Sequence, residues 1–284
     1  MKLIRALERK IFFVKHVLFL LAILCLTAGA QATAVKAQHV TVDLVSEQRS
    51  VQPGAAFTLG LSFAIEQGWH LYWVNPGDAG LPPTVHWNLP DEITAREFQW
   101  PYPERVQLGS IVNYVYSGNL LLPINMQVGS LKGKTVSLSA DVKWLVCSDV
   151  CIPGKATLSL ELPVSSNAPQ NDPTQKAAFA ESRTHIPKPF TGSTHTIDAN
   201  QEFIIKVDHL ELRAPAQFFP LIPNQIDNTS APRIVSMGKG MDIYLKKSDQ
   251  LLKPVQQISG VLVLNDGRSF MVDSLLESNS NRHK

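Results

Sequence analysis

From His39 to Val164 apolar and polar residues alternate in short runs, "HVTVDLVSE", "AFTLGLSFAI", "WHLYWV", "NLLLPINMQV", "TVSLSADVKWLV" and "ATLSLELPV". Turn-forming stretches separate them: "QPG", "NPGDAGLPP", "SGN" and "LKGK". Period-two alternation rich in Val, Leu, Thr and aromatics predicts strands, and this spacing predicts an all-β sandwich over residues 39–164. No helix-length amphipathic stretch interrupts it, so a thioredoxin-like or Rossmann reading has no support. Residues 165–191 read as a Pro-, Asn- and Ser-containing linker in which "DPTQKAAFAESR" forms a short helix, with Asp172 as cap and Pro173 at its first position. Alternation resumes at His195, predicting a second, smaller β domain over 192–278 with a hairpin at "NDG", Asn265 to Gly267. The end of the chain, 279–284, reads as disordered tail.

The N-terminus follows another pattern. Lys2, Arg5, Arg9, Lys10 and Lys15 precede an apolar run from Val17 to Leu26 and a small-residue stretch, the layout of a secretory signal peptide, here 1–32 with cleavage expected after Ala32. The run is short for a membrane span, which wants roughly 20 apolar residues, so no stable membrane insertion is expected after cleavage. Cys25 falls in the discarded segment. Formal net charge is +2 over 284 residues and much of the excess lies in the leader, so nothing points to nucleic acid or anionic lipid. An exported chain enters a compartment where disulfides persist.

Export leaves Cys147 and Cys151, in "WLVCSDVCIPG", as the cysteines of the mature chain. A disulfide needs Cα atoms roughly 4.4–6.8 Å apart, whereas four residues of straight strand span about 13 Å. The two can bond only if Ser148-Asp149-Val150 turns the chain back, and Ile152-Pro153-Gly154 reads as an end to regular pairing just beyond. Such a pair is a structural bridge, half a metal site or a redox pair. Closing so small a loop makes a weak staple. A metal site needs further ligands; His70, His86 and Met126 share the domain but lie far away in sequence, and His70 in "WHLYW" reads as a packed strand residue. No cofactor and no metal are expected.

With "GWHLYWVNPGDAGLPP", "YPERVQLGSIVNYVYSGNLLLPI" and "VKWLVCSDVCIPG" in view, the chain resembles the periplasmic N-terminal region of DsbD-type thiol:disulfide interchange proteins, and most of all the ScsB branch, associated with suppression of copper sensitivity. The likeness extends over roughly 40 to 275 and takes in "FFPLIPNQIDN" and "GVLVLNDGRSFMV". It implies an immunoglobulin-like β-sandwich followed by a second sandwich-like domain. It also implies that Cys147 and Cys151 cycle between dithiol and disulfide, with Cys151 forming the mixed disulfide. The family's cap loop, whose aromatic side chain covers the cysteines, matches Arg105-Val106-Gln107-Leu108 before Gly109, with Tyr114 and Tyr116 beyond. No aromatic stands at the cap position, so two expectations stay open: Leu108 shields the sulfurs, or the shielding is weaker than in the family.

Full-length members of that family continue into a membrane domain and a thioredoxin domain, whereas this sequence stops at Lys284. The expectation is a free-standing periplasmic module that takes electrons from thioredoxin-like redox proteins or a CcdA/DsbD-like membrane donor. Local charges, Asp149 against the thiolate and Lys143 or Lys155 for it, would tune the sulfurs. The competing expectation is a non-catalytic module that binds copper or docks a membrane complex, with its cysteines as ligands or a passive bridge.

Overall fold

The computed structural model describes residues 34–208 and 216–277. The expected signal peptide with Cys25 and the expected tail fall outside the described residues. The architecture is all-β, as the alternation requires, and among the described residues no helix is long and apolar enough to cross a membrane.

The first sandwich is built from an antiparallel sheet in the order β1 (Val35–Ala37), β2 (Val40–Ser46), β3 (Phe57–Ile65), β9 (Asn119–Val128), β6 (Ile93–Phe98). Its apolar face shares one core with a long hairpin, β10 (Thr135–Cys147) and β11 (Cys151–Pro163), to which β5 (Thr84–Asn88) adds on the far side of β10. Even-numbered residues of β10 (Val136, Leu138, Ala140, Val142, Trp144, Val146) enter this core, and Phe63 meets Trp144 edge to face at 6.3 Å. Odd-numbered residues therefore face outward. A third sheet, β4 (Leu71–Gly77), β8 (Ile111–Tyr116), β7 (Glu104–Leu108), lies beside the end of β10 and is joined to it by a bridge between His70 and Cys147.

Residues 165–191, expected as a linker, run along the first sandwich and are fastened to it. The backbone N–H of Arg49 donates to Gln170 and that of Asp172 to Glu47. Helix α1 spans Lys176–His185, starting later than the sequence suggests, because Asp172 caps the preceding turn instead: its carboxylate accepts from the Thr174 N–H. Phe179 is fully buried against Val45 and Leu121, where the missing side chain of Gly60 makes room; a Cβ there would lie 2.9 Å from the Phe179 ring.

A second core is enclosed by two four-stranded sheets. One runs β12 (Lys188–Pro189), β19 (Ser269–Leu275), β18 (Gln257–Leu264), β15 (Ala216–Pro220), the other β13 (Thr194–Ala199), β14 (Glu202–Val207), β17 (Gly240–Lys246), β16 (Arg233–Met237). The "NDG" turn joins β18 to β19, with Gly267 at φ +84°, a left-handed conformation in which a side chain would be strained. The two cores touch: Phe219 and Val261, from β15 and β18, are buried in the first one. Phe219 packs edge-on to Trp73 and Tyr114, and the Asn75 amide donates to the Pro220 carbonyl at 2.7 Å.

Candidate functional site

Cys147 ends β10 and Cys151 begins β11, and the Ser148-Asp149-Val150 turn places them opposite each other in the hairpin register, Cα atoms 4.2 Å apart and sulfurs bonded. The proximity has a backbone cause. The N–H and C=O of one strand residue point to the same side, and Cys147 uses both on His70, with N···O distances of 2.9 and 3.0 Å. Its pairing with Cys151 is therefore the non-hydrogen-bonded kind, in which Cα atoms come closest, about 4.5 Å.

Regular pairing does not stop after the cysteines. β11 runs on through Ile152-Pro153-Gly154, in register with β10 for thirteen residue pairs. Pro153 is tolerated because it faces Leu145 in another non-hydrogen-bonded pair and β11 is the edge of its sheet, so its missing N–H is not needed. Gly154 is required because the Trp144 indole lies over it; an added Cβ would meet that ring at 2.2 Å.

The two sulfurs differ in exposure. Cys147 is 1% exposed, in a small cluster with Tyr72 and Val115 that Val106 and Leu145 partly cover, while Cys151 is exposed. Directly paired residues present side chains on the same face, so His70, Cys147 and Cys151 form one row across three strands. Tyr72, two residues on from His70, sends its hydroxyl to 3.8 Å from the Cys151 sulfur, and the two rings meet edge-on at 5.3 Å. Since a disulfide sulfur carries no proton, the hydroxyl is the donor. Burial raises the Tyr72 pKa, keeping the phenol protonated, and lowers that of His70, keeping the imidazole neutral. His70 Nε2 is buried without a hydrogen-bond partner.

The residues expected to form the cap separate by strand parity. Leu108 pairs with Ile111 at the tip of the β7–β8 hairpin, on the same face as Val106, Val115 and Tyr72; Leu108 is 51% exposed. Gly109 makes the turn with φ +62°. Tyr114 and Tyr116 lie on the opposite face. Tyr114 packs with Trp73 and Phe219 and donates to Asn228 Oδ1, and Tyr116 donates to the Pro101 carbonyl. Neither approaches the cluster of Cys147; Tyr72 and His70, which the sequence reading did not assign to the site, occupy it. Alternation in "WHLYW" marks His70 and Tyr72 as sharing a face, but only tertiary pairing puts that face beside the cysteines.

Met126 is buried in the first core, and His86 pairs with Asp141, six residues along β10 from Cys147, about 20 Å away. Among the described residues no group of three or more His, Cys, Asp or Glu is gathered as for a metal ion.

Residues 39–163 match the family model described as "Thiol:disulfide interchange protein DsbD, N-terminal". The N-terminal periplasmic domain of ScsB from Proteus mirabilis has a similar structure, with TM-score 0.65 and 16% identity over 87% of this chain and 99% of that one. The major pilin subunit BcpA of Bacillus cereus aligns far more loosely, with TM-score 0.24 and 11% identity over 88% of this chain and 75% of that one. No curated protein matches the chain. Residues 39–163 thus carry the match to the DsbD N-terminal family, and their fold is an immunoglobulin-like sandwich.

Proposed function

We propose that this chain is a periplasmic thiol–disulfide interchange module that relays reducing equivalents through Cys147 and Cys151, from a thioredoxin-like or membrane-borne DsbD-like donor to periplasmic acceptors. The observation that carries the proposal is the inequality of the two bonded sulfurs, one exposed on an edge strand and one buried. The tripartite leader and the family of residues 39–163 support the compartment and the chemistry.

The donor's thiolate attacks the exposed Cys151 sulfur, forming a mixed disulfide and expelling Cys147 as a thiolate that takes up a proton. The donor's second thiolate then attacks its own bonded sulfur and releases Cys151. The donor becomes a disulfide and the module a dithiol. Running the same steps against an acceptor disulfide, Cys151 attacks and Cys147 resolves. The Tyr72 hydroxyl, already aimed at Cys151, would donate to its thiolate and lower the cost of that charge.

A five-residue loop makes the bridge a modest stabiliser, about 2 kcal/mol by chain entropy. Equilibrating the mature protein with glutathione buffers, while following its fold by circular dichroism and its metal content by mass spectrometry, tests the reading. Reversible reduction with the fold retained is expected. Unfolding on reduction would make the bridge structural, and stoichiometric copper with no exchange would favour the metal-binding alternative.

A further inference from the structure

The outward face of the β10–β11 hairpin continues past the disulfide in ordered rows. Cys147 and Cys151 come first, Leu145 and Pro153 next, Lys143 and Lys155 third. Leu81, 65% exposed, joins the second and third rows, and Leu81, Leu145, Pro153, Lys143 and Lys155 line a groove of about 690 Å³ that opens to solvent beside the row of the cysteines. Two lysines directly opposite each other repel, and neither has an ion pair among the described residues. The neighbouring Asp141, whose carboxylate also accepts from the Thr157 hydroxyl and the Asn88 amide, attracts Lys143 from one side, so the two lysines keep an excess of positive charge over that single carboxylate. An apolar step followed by a lysine pair of net positive charge, in line with the disulfide, is complementary to one kind of occupant.

We infer that this strip docks an extended, acidic segment of the redox partner, with the partner's cysteine against Cys151, an apolar side chain two residues on over Leu145 and Pro153, and a carboxylate four residues on between Lys143 and Lys155. The register is set by strand geometry: residues four apart in an extended chain are about 13 Å apart, the same separation as Cys147 and Lys143 along β10. Burying the apolar side chain in the groove supplies affinity, and the lysine pair supplies selection by charge and a faster encounter.

The inference rests on the interchange reading, and its test separates the two. The probes are symmetric disulfides of the peptides Cys-Ser-Leu-Ser-Glu and Cys-Ser-Leu-Ser-Lys, blocked at both ends, mixed with the reduced mature protein at low salt. In each reaction Cys151 attacks the peptide disulfide and frees one peptide thiol, Cys147 closes the bridge and frees the second, and two electrons pass from protein to peptide. The Glu peptide is expected to react about tenfold faster than the Lys peptide, with the gap closing in high salt and inverting in the K143E/K155E double variant. Equal rates for the two peptides, or an unchanged preference in a K143E/K155E protein of native circular dichroism, would overturn the strip while leaving the interchange reading intact. If neither peptide is reduced and the bridge does not exchange with glutathione either, it is the interchange reading that fails, and the strip with it.

Discussion

His70 and Cys147 are held side by side by both of their backbone hydrogen bonds, and the His70 imidazole is buried with Nε2 unpartnered. Burial lowers the imidazole pKa below its ordinary value of about 6.5. The unfolded chain then binds the proton more readily than the folded one, so His70 costs no stability above pH 6.5 and destabilises progressively as pH falls from 6.5 toward the folded value. The loss is at most about 1.4 kcal/mol per pH unit. Comparing urea unfolding of the native protein and His70→Phe from pH 7.5 to 5 should show a smaller decline in the variant; parallel curves would mean that His70 does not titrate with folding.

The unequal burial of the cysteines predicts unequal reactivity in single variants. In Cys147→Ser the remaining Cys151 is exposed and should react with an aromatic disulfide reagent within the mixing time of a native sample, and trap mixed disulfides with a thioredoxin-like partner. In Cys151→Ser the remaining Cys147 sits behind Val106 and Leu145, and should react at least about tenfold more slowly until the protein is unfolded. Equal rates would place both thiols at the surface.

Arg183 donates twice to the buried carboxylate of Glu47, fastening α1 to the first sandwich. Removing it in Arg183→Ala leaves that carboxylate without its cation and should cost about 2 kcal/mol, less than for a fully buried pair because the arginine is half exposed. The guanidinium hydrogen bonds hold the Glu47 pKa below the ordinary carboxylate value. Their stabilisation is therefore present above that range and lost as pH falls through the folded value, and an acid-unfolding series should show Arg183→Ala losing less than the native protein.

Phe219 is the second unit's wedge in the first core, against Trp73 and Tyr114. Phe219→Ala should cost about 3–4 kcal/mol. Because the lost contacts are those that join the cores, calorimetry should resolve one transition in the native protein and two in the variant. A single transition in both would assign the coupling to other contacts, such as that of Asn75 with Pro220.

Alternation by itself determined most of the strands, though not β5 to β8 between Thr84 and Tyr116, together with the all-β class and the β18–β19 hairpin, and the four-residue spacing of Cys147 and Cys151 determined that any bond between them requires a reversal at Ser148-Asp149-Val150. These are local matters of period and reach. Tertiary structure decided what the strands face. β8 is buried on both sides, so its sequence does not say that Val115 looks toward the sulfurs while Tyr114 looks toward Phe219. Pro153 reads as a breaker until its edge position and non-hydrogen-bonded pairing are known, and Phe179 sits in a segment that reads as linker until Gly60 opens a place for it. Above all, nothing near Cys147 in sequence names His70 or Tyr72 as its neighbours. Period-two alternation tells which residues share a face, but the pairing of strands distant in sequence, fixed by backbone hydrogen bonds and the burial of both sheets, tells which faces meet.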